Sequence, residues 1–359
     1  MKKLVPLSIA TAVLSLALVS SASAPSFGGR AMAVQVRVPA TGATITLTDS
    51  GQLPSAGGGI GAALLSADIP SGQTAGLVSL RGGTLHSAVV GVGGTHGEAS
   101  LADLSLAISG NGITADFLMA RSAAACGATA TVTGVSQLAN LVINGQTIAV
   151  TGAANQTVPL PNGIAVINEQ LPSVAGGNGQ ITVNALHVTT RDALTGQALA
   201  DVVLATADAE IQCETGSALS APPAWAQSTD PNFATGGGWI PSGTGKATFG
   251  FVAGADQNGS VTGNLVYDDH DANFSLQSTA ILQIIRATCD TEFSGTATTN
   301  TGDSVSFTVN VHDGGEPGRN DTFSIRTDGY ANAGKLAGGN IQVDGSFVGG
   351  KVLAHGNSC

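Results

Sequence analysis

With 359 residues, 43% hydrophobic, 10% charged and only 4% aromatic, the chain is long enough for two domains and too apolar for a disordered one. Its 50 glycines and few charges point to turn-rich β structure, not to helices coated with Lys and Glu, with a core of Val, Ile, Leu and Ala. A formal net charge of −11 with no basic cluster excludes nucleic acid as a partner, because an acidic surface repels phosphate backbones.

Lys2 and Lys3 precede an apolar run from Leu4 to Val19 and the small residues Ser20-Ser21-Ala22-Ser23-Ala24. This is the three-part pattern of a secretory signal peptide over residues 1–24, with cleavage after Ala22, Ala24 or Ala33. No later apolar run reaches the roughly 18 residues a membrane helix needs, so no further span is expected. Val34, Val36 and Val38 alternate with polar residues, as do Ile45 and Leu47, which marks the first strands. Asn111-Gly112 reads as a hairpin turn, and Asn144-Gly145 reads as another between Leu141-Val142-Ile143 and Gln146 to Val150. Ser136 to Leu141 reads as one short helical turn. The aperiodic, Pro-rich stretch with Ala221-Pro222-Pro223-Ala224 and Asp230-Pro231 reads as a linker over residues 215–233. Beyond it Val305, Phe307, Val309 and Val311 alternate with polar residues, and Phe323 and Ile325 resume the alternation after Asp313 to Asp321. That pattern is a hairpin with a long acidic loop.

Two stretches resemble known families. Gly236-Gly237-Gly238-Trp239-Ile240, Thr248-Phe249-Gly250-Phe251-Val252-Ala253, Phe293-Ser294-Gly295, Asp313-Gly314-Gly315-Glu316-Pro317-Gly318 with Asp321-Thr322-Phe323, and Gly339-Asn340-Ile341-Gln342 resemble the post-COAP domain over about residues 234–345. Leu141-Val142-Ile143-Asn144-Gly145, Ile167-Asn168-Glu169-Gln170, Val183 to Val188 and Ala207 to Cys213 resemble the choice-of-anchor P family, taken to span about residues 34–214. The resemblance implies an exported, all-β, accessory surface protein, and it brings no catalytic residues with it. The terminal His355-Gly356-Asn357-Ser358-Cys359 carries no sorting motif and departs from that family's anchored pattern. The expected architecture is all-β: two antiparallel β-sandwich-like domains, 34–214 and 234–359, joined by the linker.

Four cysteines in an exported chain read as two disulfides, for which three pairings exist. Cys126 with Cys213 and Cys289 with Cys359 keeps each bridge within one domain and is the pairing expected. Closing loops of that size is worth about 4 to 5 kcal/mol in the chain-entropy model. Asp313, Glu316 and Asp321 share one Gly-rich loop, and Asp268, Asp269 and Asp271 share another acidic turn. Two readings stand for both loops: solvated turn residues, or a hard-cation site for calcium, the one cofactor suggested. Trp239 reads as a core anchor or as a ring offered to a sugar. His187 and His312 lie in strand-like runs and read as hydrogen-bonded structural histidines.

No Gly-x-Ser-x-Gly elbow or His-x-x-x-His pair is present, and nothing in the spacing pairs Asp268 or Asp269 with Asp313 or Glu316 as glycosidase acids. The expectation is therefore a secreted, non-enzymatic structural or adhesion protein of the bacterial surface. Its partner would be a surface polymer or protein. The alternatives are a glycan-binding module and, third, a hydrolase.

Overall fold

The computed structural model describes residues 25–213, 232–255, 259–287, 289–344, 347–348 and 351–352. The expected leader, residues 1–24, and most of the expected linker, residues 215–233, lie outside the described residues. Apart from a 3-10 turn at Ser71–Thr74, every regular element described is a strand, as the glycine-rich, charge-poor composition requires.

The first half runs β1 (Ser26–Gly28), β2 (Ala31–Val38), β3 (Ala43–Asp49), β4 (Gly58–Leu64), β5 (Ala67–Ile69), β6 (Val78–Gly82), β7 (Leu85–Gly91) and β8 (Gly94–Ile108). It continues through β9 (Asn111–Cys126), β10 (Ala130–Ala139), β11 (Val142–Ile143), β12 (Gln146–Thr147), β13 (Gln156–Leu160), β14 (Gly163–Ala175), β15 (Asn178–Arg191) and β16 (Ala198–Gln212). One sheet has the order β13-β14-β15-β16-β2-β3, with β1 on β16. A second centres on β7, β8 and β9. Alternate apolar residues of both, among them Val34, Val202, Leu204 and Leu186 against Leu85, Val89, Leu101 and Leu118, form one aliphatic core. The disulfide Cys126–Cys213 joins the end of β9 in one sheet to the residue after β16 in the other, with Cα atoms 5.5 Å apart. The pairing of Cys289 with Cys359 falls on a terminus outside the described residues.

Two local expectations are adjusted, and the burial of β2 bears on a third. Asn144 and Gly145, both at positive φ, make the β11–β12 turn as read, but the β8–β9 turn is Ser109-Gly110 and not Asn111-Gly112. Asn111 is buried and its side chain donates to the Ile108 carbonyl, which holds the turn from outside it. Ser136 to Ala139 belong to β10, because ladder bonds to β9 outweigh the weak local preference for a helical turn. Ala31 and Ala33 are fully buried in β2, so cleavage after Ala33 would strip β1 and the start of β2 from the sheet, whereas cleavage after Ala22 or Ala24 spares both.

The second half is a meander, β17 (Asn232–Ser242), β18 (Gly245–Ala255), β19 (Val261–Asp269), β20 (Phe274–Arg286), β21 (Asp290–Thr299), β22 (Ser304–His312), β23 (Thr322–Arg326) and β24 (Ala331–Lys335). A ninth strand, β25 (Gly338–Asp344), returns to lie beside β17. The expected sandwich is here a single sheet, and ring positions show that it curls on itself. Phe249 on β18 and Phe323 on β23 stack with centroids 4.0 Å apart, although a flat sheet would separate strands five places apart by about 24 Å. Phe251 and Phe293 close the same interior at 5.1 Å. The aliphatic core expected for the whole chain holds in the first half only. Six buried rings, Phe249, Phe251, Tyr267, Phe293, Phe307 and Phe323, fill the curled, barrel-like sheet, since a single sheet that curls on itself without closing must fill its interior from one face.

The two halves pack together as three layers. The outer face of β7, β8 and β9 lies against β17 and β18, with Ala88, Val90, Phe233 and Val252 at one end of the contact. Ala102, Phe117, Met119 and Trp239 lie at the other.

Candidate functional site

The two acidic loops and Trp239 gather around this junction and the barrel ends, whereas His187 and the Cys126–Cys213 bridge lie within the first half. The long acidic loop between β22 and β23 folds back on β25. Because β25 pairs with β17 on one side, the amides of Gly339, Ile341 and Val343, alternate residues along it, face the other side with no neighbouring strand to accept them. Side chains take that role. Asp321 accepts from Ile341 N at 2.7 Å and from Gly314 N at 2.9 Å. Asp313 accepts from Val343 N at 3.2 Å and from Gly315 N at 2.9 Å. Gln137 of β10 accepts from Gly339 N at 3.1 Å, so the first half completes the capping of this edge. Asp321 is fully buried, and burial pushes its carboxyl up to about 6 against the pull of the two amides, with Asp313 and Glu316 adding to the rise. Glu316 pairs with Arg121 of β9 across the junction and receives Asn340 Nδ2 at 3.4 Å.

The second acidic turn also serves the framework. Asp269 is buried at the barrel end, where it accepts from Ser242 Oγ at 2.6 Å, from the Tyr330 hydroxyl and from Ala272 N at 3.0 Å. Burial alone would raise its carboxyl, but these hydroxyl and amide donors hold it below the usual range. Tyr330 in turn bonds Tyr267 at 2.6 Å, and burial pushes the Tyr267 phenol up to about 12. Asp271 caps the β17–β18 turn through Thr244 N and Gly245 N at 2.6 and 2.9 Å. Asp268 is raised by burial and faces His270, which reaches across to Asp103 beside Lys246.

The structure thus brings Asp313, Glu316 and Asp321 together and leaves Asp268, Asp269 and Asp271 on separate duties at the other turn. Among the described residues, no three His, Cys, Asp or Glu side chains are grouped to hold a metal ion. Trp239 packs on Phe117 across the junction, ring centroids 5.1 Å apart. A Cβ at Gly338 would overlap the indole, which explains the glycine there.

His187 is held between Glu169 at 2.8 Å and Asp201 at 3.0 Å, and His312 bonds Asp290 at 2.8 Å, as structural histidines should. The Asp201 bond, followed by the charge and bond of Glu169, raises the His187 imidazole despite burial.

Sequence reasoning missed the buried pair at the centre of the junction. His86 on β7 and Glu98 on β8 face each other at 3.5 Å, 0% and 3% exposed, and none of their four polar side-chain atoms has a hydrogen-bond partner. The alternation marked only a strand here, and which face a second sheet would cover is not written in the local pattern. A separate open groove of about 250 Å³ crosses β20 to β23, lined by the polar Arg286, Asp290, Glu292, Asn310, His312, Thr322 and Ser324 and by the apolar Ile285, Ala287 and Val311.

No family model and no curated protein matches the chain. Among solved structures, a crystal structure of a Nitrosomonas europaea protein described only provisionally as AttH aligns over 94% of this chain and 99% of that one. Identity is 9% and the TM-score 0.19, a likeness that carries no argument about fold or function.

Proposed function

We propose that the chain is a non-enzymatic structural or adhesive module of an exported bacterial surface protein. The observation that carries this reading is the use of its acidic side chains. Asp313, Asp321, Asp269 and Asp271 are occupied by backbone amides or hydroxyls, and Glu316 ties the halves through Arg121. Groups so engaged stiffen a framework and are poorly placed to transfer protons to a substrate. The leader pattern and the Cys126–Cys213 bridge support export to an oxidising compartment, and the two family resemblances support a surface role. The reading is tested by exposing the purified mature protein to ester, glycoside and peptide substrates while measuring adhesion of protein-coated beads to bacterial surfaces. Adhesion without turnover is expected; turnover that Asp313→Asn or Asp269→Asn abolishes would overturn it.

A second reading, a module that binds a surface glycan, is favoured by the groove on β20–β23, where Asp290, Glu292, Asn310 and Thr322 offer polar groups beside the apolar Ile285 and Val311, a mix that suits both the hydroxyls and the C–H faces of a sugar. Retention on immobilised polysaccharide that falls with Asn310→Ala and is unchanged by Trp239→Phe would favour it.

A further inference from the structure

We propose that the junction between sandwich and barrel is an acid-released latch, with His86 and Glu98 as its working pair. Both residues point from the sandwich toward the barrel. A Cβ at Gly250 would overlap the His86 side chain, and one at Gly237 would overlap Ser100 Oγ beside Glu98, so glycines let the β17 and β18 backbone close directly over the pair. The cover offers the pair no hydrogen bond.

The pair is neutral overall when it holds one proton, whether as imidazolium and carboxylate or as imidazole and carboxylic acid. A second proton leaves a net positive charge in a site without an acceptor, which buried surroundings penalise heavily. The neighbouring groups do not rescue it. Arg121 on β9 adds a positive charge and is itself engaged by Glu316, which comes from the β22–β23 loop backed by Asp313 and Asp321. His96, next along the same face of β8, is pushed down to about 4 by burial, with Glu316 pulling weakly the other way. The elements packed over the pair contribute Thr235, Gly237, Gly250, Val252 and Asn340, none of them charged.

The sign follows from the proton count. An exposed histidine takes its proton at about 6.5 and an exposed glutamate at about 4.3. The closed junction resists the second proton on the pair. The stability it contributes is therefore greatest between about 4.5 and 6.5, where the opened pair also holds one proton; it declines at higher pH, where the opened pair gives that proton up, and drops steeply below about 4.5, where the opened pair can hold two. Apolar contacts at the two ends of the junction are pH-independent, so acid weakens the centre first.

Trp239 sits on Phe117 at the rim of the contact and reports on it, and Trp225→Phe makes it the sole indole. In that full-length background, titration from pH 8 to 3 is followed by Trp239 emission, radius of gyration from small-angle scattering, and far-ultraviolet circular dichroism. The expected result is a red shift and an expanded radius below about pH 5 while the β signal persists, with the midpoint raised by at least one pH unit in Glu98→Gln. His86→Gln, which removes one titrating group and serves should Glu98→Gln fail to fold, lowers the midpoint. The proposal is overturned if emission, radius and β signal change together at one pH, or if both variants keep the parent midpoint.

Discussion

Two cores of opposite composition stand side by side in this chain. The sandwich buries aliphatic residues, with alanines such as Ala99, Ala120, Ala185 and Ala207 between the larger side chains, whereas the barrel buries stacked rings. Two sheets about 10 Å apart are filled from both faces, so small and medium side chains interdigitate. A single curled sheet must fill its lumen from one face, and rings span the space. Composition averaged over the chain conceals this, because a low aromatic fraction concentrated in one half is enough for one barrel.

The largest effect is expected in the barrel. Phe323→Ala removes the ring stacked on Phe249 and Tyr267 and should cost about 3 to 5 kcal/mol in chemical denaturation, against about 2 kcal/mol for Val202→Ala in the sandwich, where the loss is two methyl groups. Equal losses would argue that the halves are packed alike. The next effect belongs to the sandwich. Replacing Cys126 and Cys213 by Ser should cost about 2 to 5 kcal/mol and lower the melting of the first half, with the barrel's near-ultraviolet aromatic signal retained at temperatures where the sandwich has melted.

Smaller effects sharpen the comparison through pH. Asp321 holds a proton in the native state between 3.8, its ordinary value, and about 6, whereas the unfolded chain has released it. Its contribution is therefore fully present below 3.8 and is lost as pH rises to about 6. Asp321→Asn should flatten stability across that window and cost about 1 to 3 kcal/mol at low pH through a poorer fit to its two amides. His187 titrates above 6.5 in the native sandwich, so its contribution is fully present below that value and is lost as pH rises through the raised one. A two-dimensional NMR titration should show the shift, and Glu169→Gln should reduce it. The smallest effect expected is that of calcium. With Asp313 and Asp321 already occupied by amides, the melting midpoint should stay within error when millimolar calcium replaces chelator. A clear rise would restore the loop as a cation site.

Much of this was legible along the chain. The alternations at Val34 to Val38 and Val305 to Val311 became β2 and β22, Asn144-Gly145 became a turn, and Cys126 found Cys213. Acidic residues at a turn announced themselves as well, but not their use. Asp313 and Asp321 are defined by the unsatisfied edge of β25, a strand that follows them in sequence and reaches them only when the sheet curls. Glu98 and His86 were invisible for a related reason: the cover that buries them comes from residues 237 and 250, well over a hundred positions away.

Local sequence was enough to read an all-β chain and to place many of its strands, because periodicity, turn chemistry and glycine content act over a few residues at a time; the Cys126–Cys213 bridge was one of three pairings it allowed. Tertiary structure decided that one half is a sandwich and the other a curled single sheet, that the acidic loop closes an edge, and that a titratable pair lies sealed between the halves. Those outcomes depend on which faces and edges find each other across long stretches of chain, and burial, the term that sets their energies and ionisation, exists only after they have met.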